Sequence, residues 1–180
     1  MAMVYRVTLT ALVLILASNL APLRADDTDS SVTVKSKDGQ VRVVVPEGWV
    51  AENSSNPGAA IEARNEDSDA FVMVLIANRD DPYATLDDDA KTLRDEVLSH
   101  LVKSKCSDPE PIEVSGYKAI RYEIHGTSPA SKVQFGYFVT MVRMRRHYLE
   151  VVTWSVEKHF ADNAPVLKPM PNSVSYTGDQ

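Results

Sequence analysis

The sequence predicts an α+β fold: an αβα sandwich whose central, mostly antiparallel sheet carries a helix on each face. Three observations lead there. Two strand-like segments, Ala70 to Ala77 and the later half of Lys132 to Arg145, are apolar on both sides and need cover on both faces. Two segments, Leu86 to Lys105 and Glu157 to Met170, read as helices able to supply it. The rest is short, alternating and punctuated by turn residues, as a meander of antiparallel strands requires.

In chain order, Val32 to Lys35 and Gln40 to Val45 read as strands around Asp38-Gly39, a hairpin signal whose two turn positions are expected at positive φ. Val45-Pro46-Glu47-Gly48-Trp49 ends the second strand in a turn. After a loop at Asn53 to Gly58 come a strand, Ala59 to Arg64, and a turn, Asn65 to Asp69. Ala70 to Ala77 then reads as a central strand.

Thr85 is the expected N-cap of the first helix, with Asp87, Asp88 and Asp89 in its first turn facing the positive end of the helix dipole. Leu86, Ala90, Leu93, Val97 and Leu101 form its apolar stripe, and Lys103 and Lys105 its C-terminal end. Ile112 to Val114 and Tyr117 to His125 follow, joined by Ser115-Gly116. Within the second of these, Ile120, Tyr122 and Ile124 share one face and Arg121, Glu123 and His125 the other. Lys132 to Arg145 forms a hairpin with His147 to Ser155. The terminal helix is expected to be interrupted near Pro165 and ended by Pro169 and Pro171.

The chain divides into an export signal at residues 1–25, a short acidic disordered start at 26–31, one domain at 32–175 and a tail at 176–180. Arg6 precedes an apolar run, Val7 to Leu20, and Leu23-Arg24-Ala25 precedes Asp26-Asp27, the layout of a secretory leader. That run is too short to span a bilayer. Cleavage near Ala25 places the protein in a periplasm or outside the cell. It removes two arginines and no acid, taking the net charge from −6 to −8. A chain this acidic is poorly suited to nucleic acid or to an anionic membrane surface.

The single cysteine, Cys106, allows no intrachain disulfide, and no histidine closer than His100 accompanies it as a nucleophile's partner. His100, His125, His147 and His159 lack metal-ligand spacing, and three consecutive helical aspartates point about 100° apart. No metal, cofactor or catalytic residue is therefore assigned, and the expectation is a protein that is not an enzyme. Asn53-Ser54-Ser55 is an N-glycosylation sequon, relevant only in a pathway that glycosylates. Arg143, Arg145 and Arg146 are the one basic cluster. They are either a solvated hairpin end or a docking patch for an acidic partner or anionic ligand.

The order of these elements resembles the PsbP-like superfamily, including the DcrB-like exported proteins of bacteria. The resemblance rests on Val41 to Trp49 (VRVVVPEGW), the strand Phe71 to Ile76, and the helix after Tyr83-Ala84-Thr85-Leu86. It rests also on the hairpin Val114 to Ala119 (VSGYKA), the strand Tyr148 to Trp154 and the terminal helix ending near Ser173. It spans about Val32 to Val174, and the three late prolines depart from a longer terminal helix. It implies the αβα sandwich, and members that act as accessory or partner-binding proteins: a photosystem extrinsic subunit, a Ran-binding nuclear protein and bacterial envelope proteins. It implies no shared catalytic residues. The function expected is thus an exported, non-enzymatic, monomeric domain that binds a partner protein. The alternative is a carrier of a small ligand or metal ion in a pocket between sheet and helix.

Overall fold

Alternation along the strands builds two antiparallel sheets, seen in a computed structural model that describes residues 30–52, 56–79 and 84–178. The export signal, the cleavage position, most of the acidic start and the Asn53 sequon lie outside the described residues. β1 (Ser31–Lys35), β2 (Val41–Pro46) and the two-residue β11 (Ser175–Tyr176) form a small sheet in the order β1-β2-β11. The large sheet runs β3-β4-β5-β10-β9-β8-β6. Its strands are β3 (Val50–Ala51), β4 (Ala59–Asn65), β5 (Ala70–Asn78), β6 (Val102–Cys106), β8 (Tyr117–Thr127), β9 (Gln134–Arg143) and β10 (His147–Val156). β7 (Glu110–Val114) also pairs with β8. α1 spans Leu86–Ser99 and α2 Glu157–Leu167, and a 3-10 turn, Met170–Ser173, leads into β11. The molecule is thus α+β and sheet-rich.

Side chains of opposite parity on β8, β9 and β10 fall into two apolar clusters, as period-two alternation requires. Ile120, Tyr122, Ile124, Val139, Met141, Tyr148 and Val152 gather around Ala90 and Leu93 of α1. The other cluster joins Phe138, Val142, Leu149 and Val151 to Phe160 and Leu167 of α2 and to Val41, Val43 and Val45 of the small sheet. β9 is buried at five successive residues, Phe138 to Val142, so its later half is covered twice, as its sequence implies.

Several expectations need correction. The first helix stops at Ser99, and Val102 to Lys105, expected at its C-terminal end, belong instead to a strand on β8, Val102–Cys106. Val102 pairs with Thr127 and Lys105 with His125, and Lys103 sits at φ +53 in the bulge between them. Backbone hydrogen bonds to β8 replace those of a further helical turn, and no basic residue remains in the last turn of α1. Its start is as expected: Thr85 Oγ1 accepts from the Asp88 N–H, and the Asp88 carboxylate accepts from the Thr85 N–H.

α2 runs through Pro165 to Leu167 without a break, the proline lying in its last turn while buried Phe160 and Leu167 anchor both ends. Asp38-Gly39 does turn the chain, but across a four-residue loop from Ser36 to Val41 in which only Gly39 has positive φ. Asp38 instead accepts from the Ser36 hydroxyl and the Gln40 N–H, which hold its carboxyl below the usual carboxylate range. Ser115-Gly116 behaves as read, with both residues at positive φ. The strand pairing also reaches past residue 175, because Tyr176 pairs with Val41.

Candidate functional site

Two features could carry function, and they sit apart on β10. The first is the hairpin between β9 and β10. Arg143 is the last residue of β9 and is half-buried, while Arg145 and Arg146 are exposed in the turn. The Met144 N–H donates to the His147 carbonyl, leaving Arg145 and Arg146 as a two-residue loop. Neither has the positive φ that matches such a loop to strand twist, so the turn needs outside support.

Arg79, at the end of β5, provides it. Its N–H donates to the Arg146 carbonyl at 3.3 Å and its guanidinium to the Arg145 carbonyl at 3.0 Å. The same guanidinium lies 5.6 Å from the centre of the Tyr148 ring. The structure therefore brings the expected arginines to one end of the sheet, together with a fourth that the sequence did not associate with them. Arg79 stands 66 residues from Arg145, and only the pairing of β5 with β10 reveals the link.

The second feature is a groove of about 290 Å³ between α1 and the large sheet. α1 covers β8 and β9 and leaves part of β5 and β10 open beside it. The floor is Met73 and Leu75 of β5 with Val152 and Trp154 of β10, and the α1 wall is Leu93 and Val97. Leu75 and Met73 are accordingly only half-buried, whereas Val72 and Val74 on the opposite face of β5 are fully buried. The expectation that β5 is covered on both faces is thus met fully on one face and only in part on the other. An aromatic row continues from the groove: Phe71 stacks on Trp154 at 5.2 Å and Trp154 on Tyr137 at 6.3 Å.

One carboxylate stands inside this apolar surface. Glu150 lies on the α1 face of β10 between Tyr148 and Val152, opposite Leu75 on β5 and Met141 on β9. It has no hydrogen bond or ion pair among the described residues. Burial, then the nearby charges of Glu96 and Asp89, push its carboxyl above the usual range. Glu96 and His100 of α1 line the same groove, and burial pushes the Tyr137 hydroxyl up to about 12. The sequence did carry a signal for Glu150: an acid at an inward position of an otherwise apolar strand face.

Elsewhere, the histidines, acids and thiol do not assemble. No group of three potential metal ligands occurs among the described residues. Cys106 is exposed at the end of β6, and partial desolvation of its sulfur, outweighing the nearby Arg94 charge, raises the thiol's pKa. His125 is held by two carboxylates, Glu157 at 2.8 Å from Nδ1 and Glu123 at 3.0 Å from Nε2, and serves to tie α2 to β8. No helix among the described residues is long and apolar enough to cross a membrane.

Neither a protein-family model nor a curated protein sequence matches the chain. Solved structures do. Cyanobacterial PsbP (CyanoP) from Synechocystis sp. PCC 6803 superposes with a TM-score of 0.62 at 12% identity, covering 88% of this chain and 99% of its own. The Saccharomyces cerevisiae Ran-binding protein Mog1p gives 0.57 at 11% identity, over 83% of this chain and 96% of its own. LpqN, involved in cell envelope biogenesis of Mycobacterium tuberculosis, gives 0.57 at 12% identity, over 82% and 91%. At such low identity these likenesses speak to the fold alone.

Proposed function

From the PsbP-like fold that this chain has, we propose that it is an exported, non-enzymatic domain that docks an acidic partner protein through the β9–β10 hairpin end. In this reading the domain is an αβα sandwich, with α1 against one face of the large sheet and α2 against the other, acting as a rigid mount for the turn. The observation that carries it is the bracing of that turn. Arg79 holds the carbonyls of both Arg145 and Arg146, so the backbone that carries these two exposed arginines is fixed. A pre-ordered loop loses less conformational entropy on binding than a loose one. Guanidinium forks suit carboxylates, and they stand out against a net charge of −6. The Ran-binding protein among the solved structures of this fold, and the one involved in cell envelope biogenesis, are compatible with an accessory role. Export rests on the leader-like residues 1–25.

Two variants test the docking reading, with envelope extract as the source of partner. Replacing Arg143, Arg145 and Arg146 with serine is expected to abolish capture of an acidic protein and leave the melting temperature nearly unchanged. Arg79→Gln keeps all three charges and removes the guanidinium's bond to the Arg145 carbonyl, leaving only the backbone bond to Arg146, and is expected to weaken capture as well. Salt should weaken capture by the parent, since exposed charge pairs are screened beyond about 8–10 Å near physiological ionic strength. Equal capture by parent and triple variant at low salt would reduce the cluster to a solubilising hairpin end.

A further inference from the structure

We infer that the groove between α1 and the large sheet is a binding site for a small organic ammonium ion, a single positive charge on a short apolar body. This site is separate from the hairpin end and does not depend on the docking reading. Its charge-bearing group is the carboxylate of Glu150. An acid at an inward strand position is expected either to be paired or to be replaced by an apolar residue, because burying a charge without a partner is costly. Glu150 is neither. Its cross-strand neighbours are Leu75 and Met141, which offer no cation.

The remaining titratable groups lining the groove or acting on Glu150 are Glu96, Asp89, His100 and Tyr137. Two further acids therefore add to the negative potential there, and no lysine or arginine lines the groove. No described residue supplies a counter-charge, and a bound cation would.

The walls decide what kind of cation fits. Met73, Leu75, Val97 and Val152 offer only hydrocarbon and thioether surface, which suits an apolar body and not a hydrated metal ion. A divalent ion would need several convergent oxygen ligands, and the described residues hold no such group. Trp154 and Tyr137 present ring surface on the groove side of the sheet, and aromatic faces attract ammonium groups. The volume of about 290 Å³ lies at the small end of ligand pockets. A monoamine with a short aliphatic or aromatic tail matches all three properties: charge, surface and size.

The test uses the full chain and three defined probes in calorimetric titration: 2-phenylethylammonium, its neutral isostere 2-phenylethanol, and manganese(II) chloride. The expected result is one-to-one binding of the ammonium probe, at least about tenfold tighter than the alcohol, with no competition from manganese. Glu150→Gln keeps the shape of the side chain and removes its charge, and should cost the ammonium probe at least about tenfold in affinity while leaving the alcohol unaffected. Glu150→Gln should fold at least as well as the parent, since it removes a half-buried acid with no ion pair among the described residues, so a melting curve separates lost binding from lost folding. Trp154→Leu, checked in the same way, should weaken both organic probes. Equal binding of alcohol and ammonium, displacement of the ammonium probe by manganese, or unchanged affinity in Glu150→Gln would each overturn the inference. So would no detectable binding up to about 10 mM.

Discussion

Replacing Gly136 with alanine probes how α2 is seated on the large sheet. Gly136 is the third residue of β9, and the ring of Phe160, in the first turns of α2, lies flat over it. A methyl group added at Gly136 would come within 2.5 Å of two Phe160 ring carbons and 2.8 Å of a third. Comfortable carbon–carbon contact is about 3.5–4.0 Å, so the ring has to retreat by about 1 Å or more. Phe160 cannot move alone, because it packs at 5.0 Å against both Phe138 and His125. Overpacking of this kind costs about 1–3 kcal/mol. Alanine's smaller loss of chain entropy returns about 0.4–1 kcal/mol. The net expectation is a loss of about 1–2 kcal/mol, read as a lower urea midpoint with unchanged slope. In a Phe160→Leu background the obstructing ring is gone, and the alanine should become neutral or stabilising. A full penalty in both backgrounds would mean that something other than the ring excludes the methyl group.

Further expectations come from the buried charges and from β5. Val74→Ala removes a fully buried side chain and should cost about 1.5–3 kcal/mol, while Leu75→Ala, half-open to the groove, should cost less; the reverse order in chemical denaturation would misplace the groove. Arg121, nearly buried, donates to Glu110 and to the Lys168 carbonyl and so clamps the end of α2 to β7 and β8. Because Glu110 is half-exposed, Arg121→Met should cost only about 1–3 kcal/mol, and an unchanged midpoint would deny the clamp. For His125, burial lowers the pKa, but hydrogen bonds and charge from Glu123 and Glu157 outweigh it and leave it raised. Its stabilisation is then complete below the unfolded value of about 6.5 and is lost as pH rises through the higher folded value. Melting curves of parent and His125→Gln should converge over that rise, and a constant gap across it would contradict the assignment. Glu150 has the same sign, so Glu150→Gln should raise the melting temperature at neutral pH, with the gain vanishing below the unfolded carboxyl range.

What was legible in the sequence was local. Alternation and turn dipeptides placed β1, β2, β4 and β7 to β10, an unbroken apolar run placed β5, and the Thr85 cap placed the start of α1. The end of α1 was not legible. Leu101 continues the apolar spacing from Val97, and no glycine or proline intervenes before Pro109, so only the distant pairing of Val102 with Thr127 marks the strand. β3 and β11 are too short to show alternation and exist because a partner strand lies beside them. The site divides in the same way. A run of arginines can be read directly, whereas their brace, Arg79, and the openness of the groove around Glu150 depend on which strands become neighbours.

The rims of the large sheet bear on how copies of this protein meet. Any sheet that does not close leaves two rows of backbone donors and acceptors on which a second chain can add. Here one rim is Val50–Ala51, too short to template a partner, and the start of β4 that β3 does not reach, where a bulge between Ala59 and Ile61 breaks the register. The other is shared end to end by β6 and β7, and each half is spoiled differently. Lys103 kinks β6 with its positive φ, and Lys105 would carry its charge into any neighbour. Pro111 deletes a donor from the middle of β7, between Glu110 and Glu113. Neither rim of the large sheet therefore offers a long, regular row of backbone groups for a second copy to pair with. On the readings proposed above, contacts with other molecules would run through side chains, at the hairpin and in the groove, and not through the backbone of the sheet.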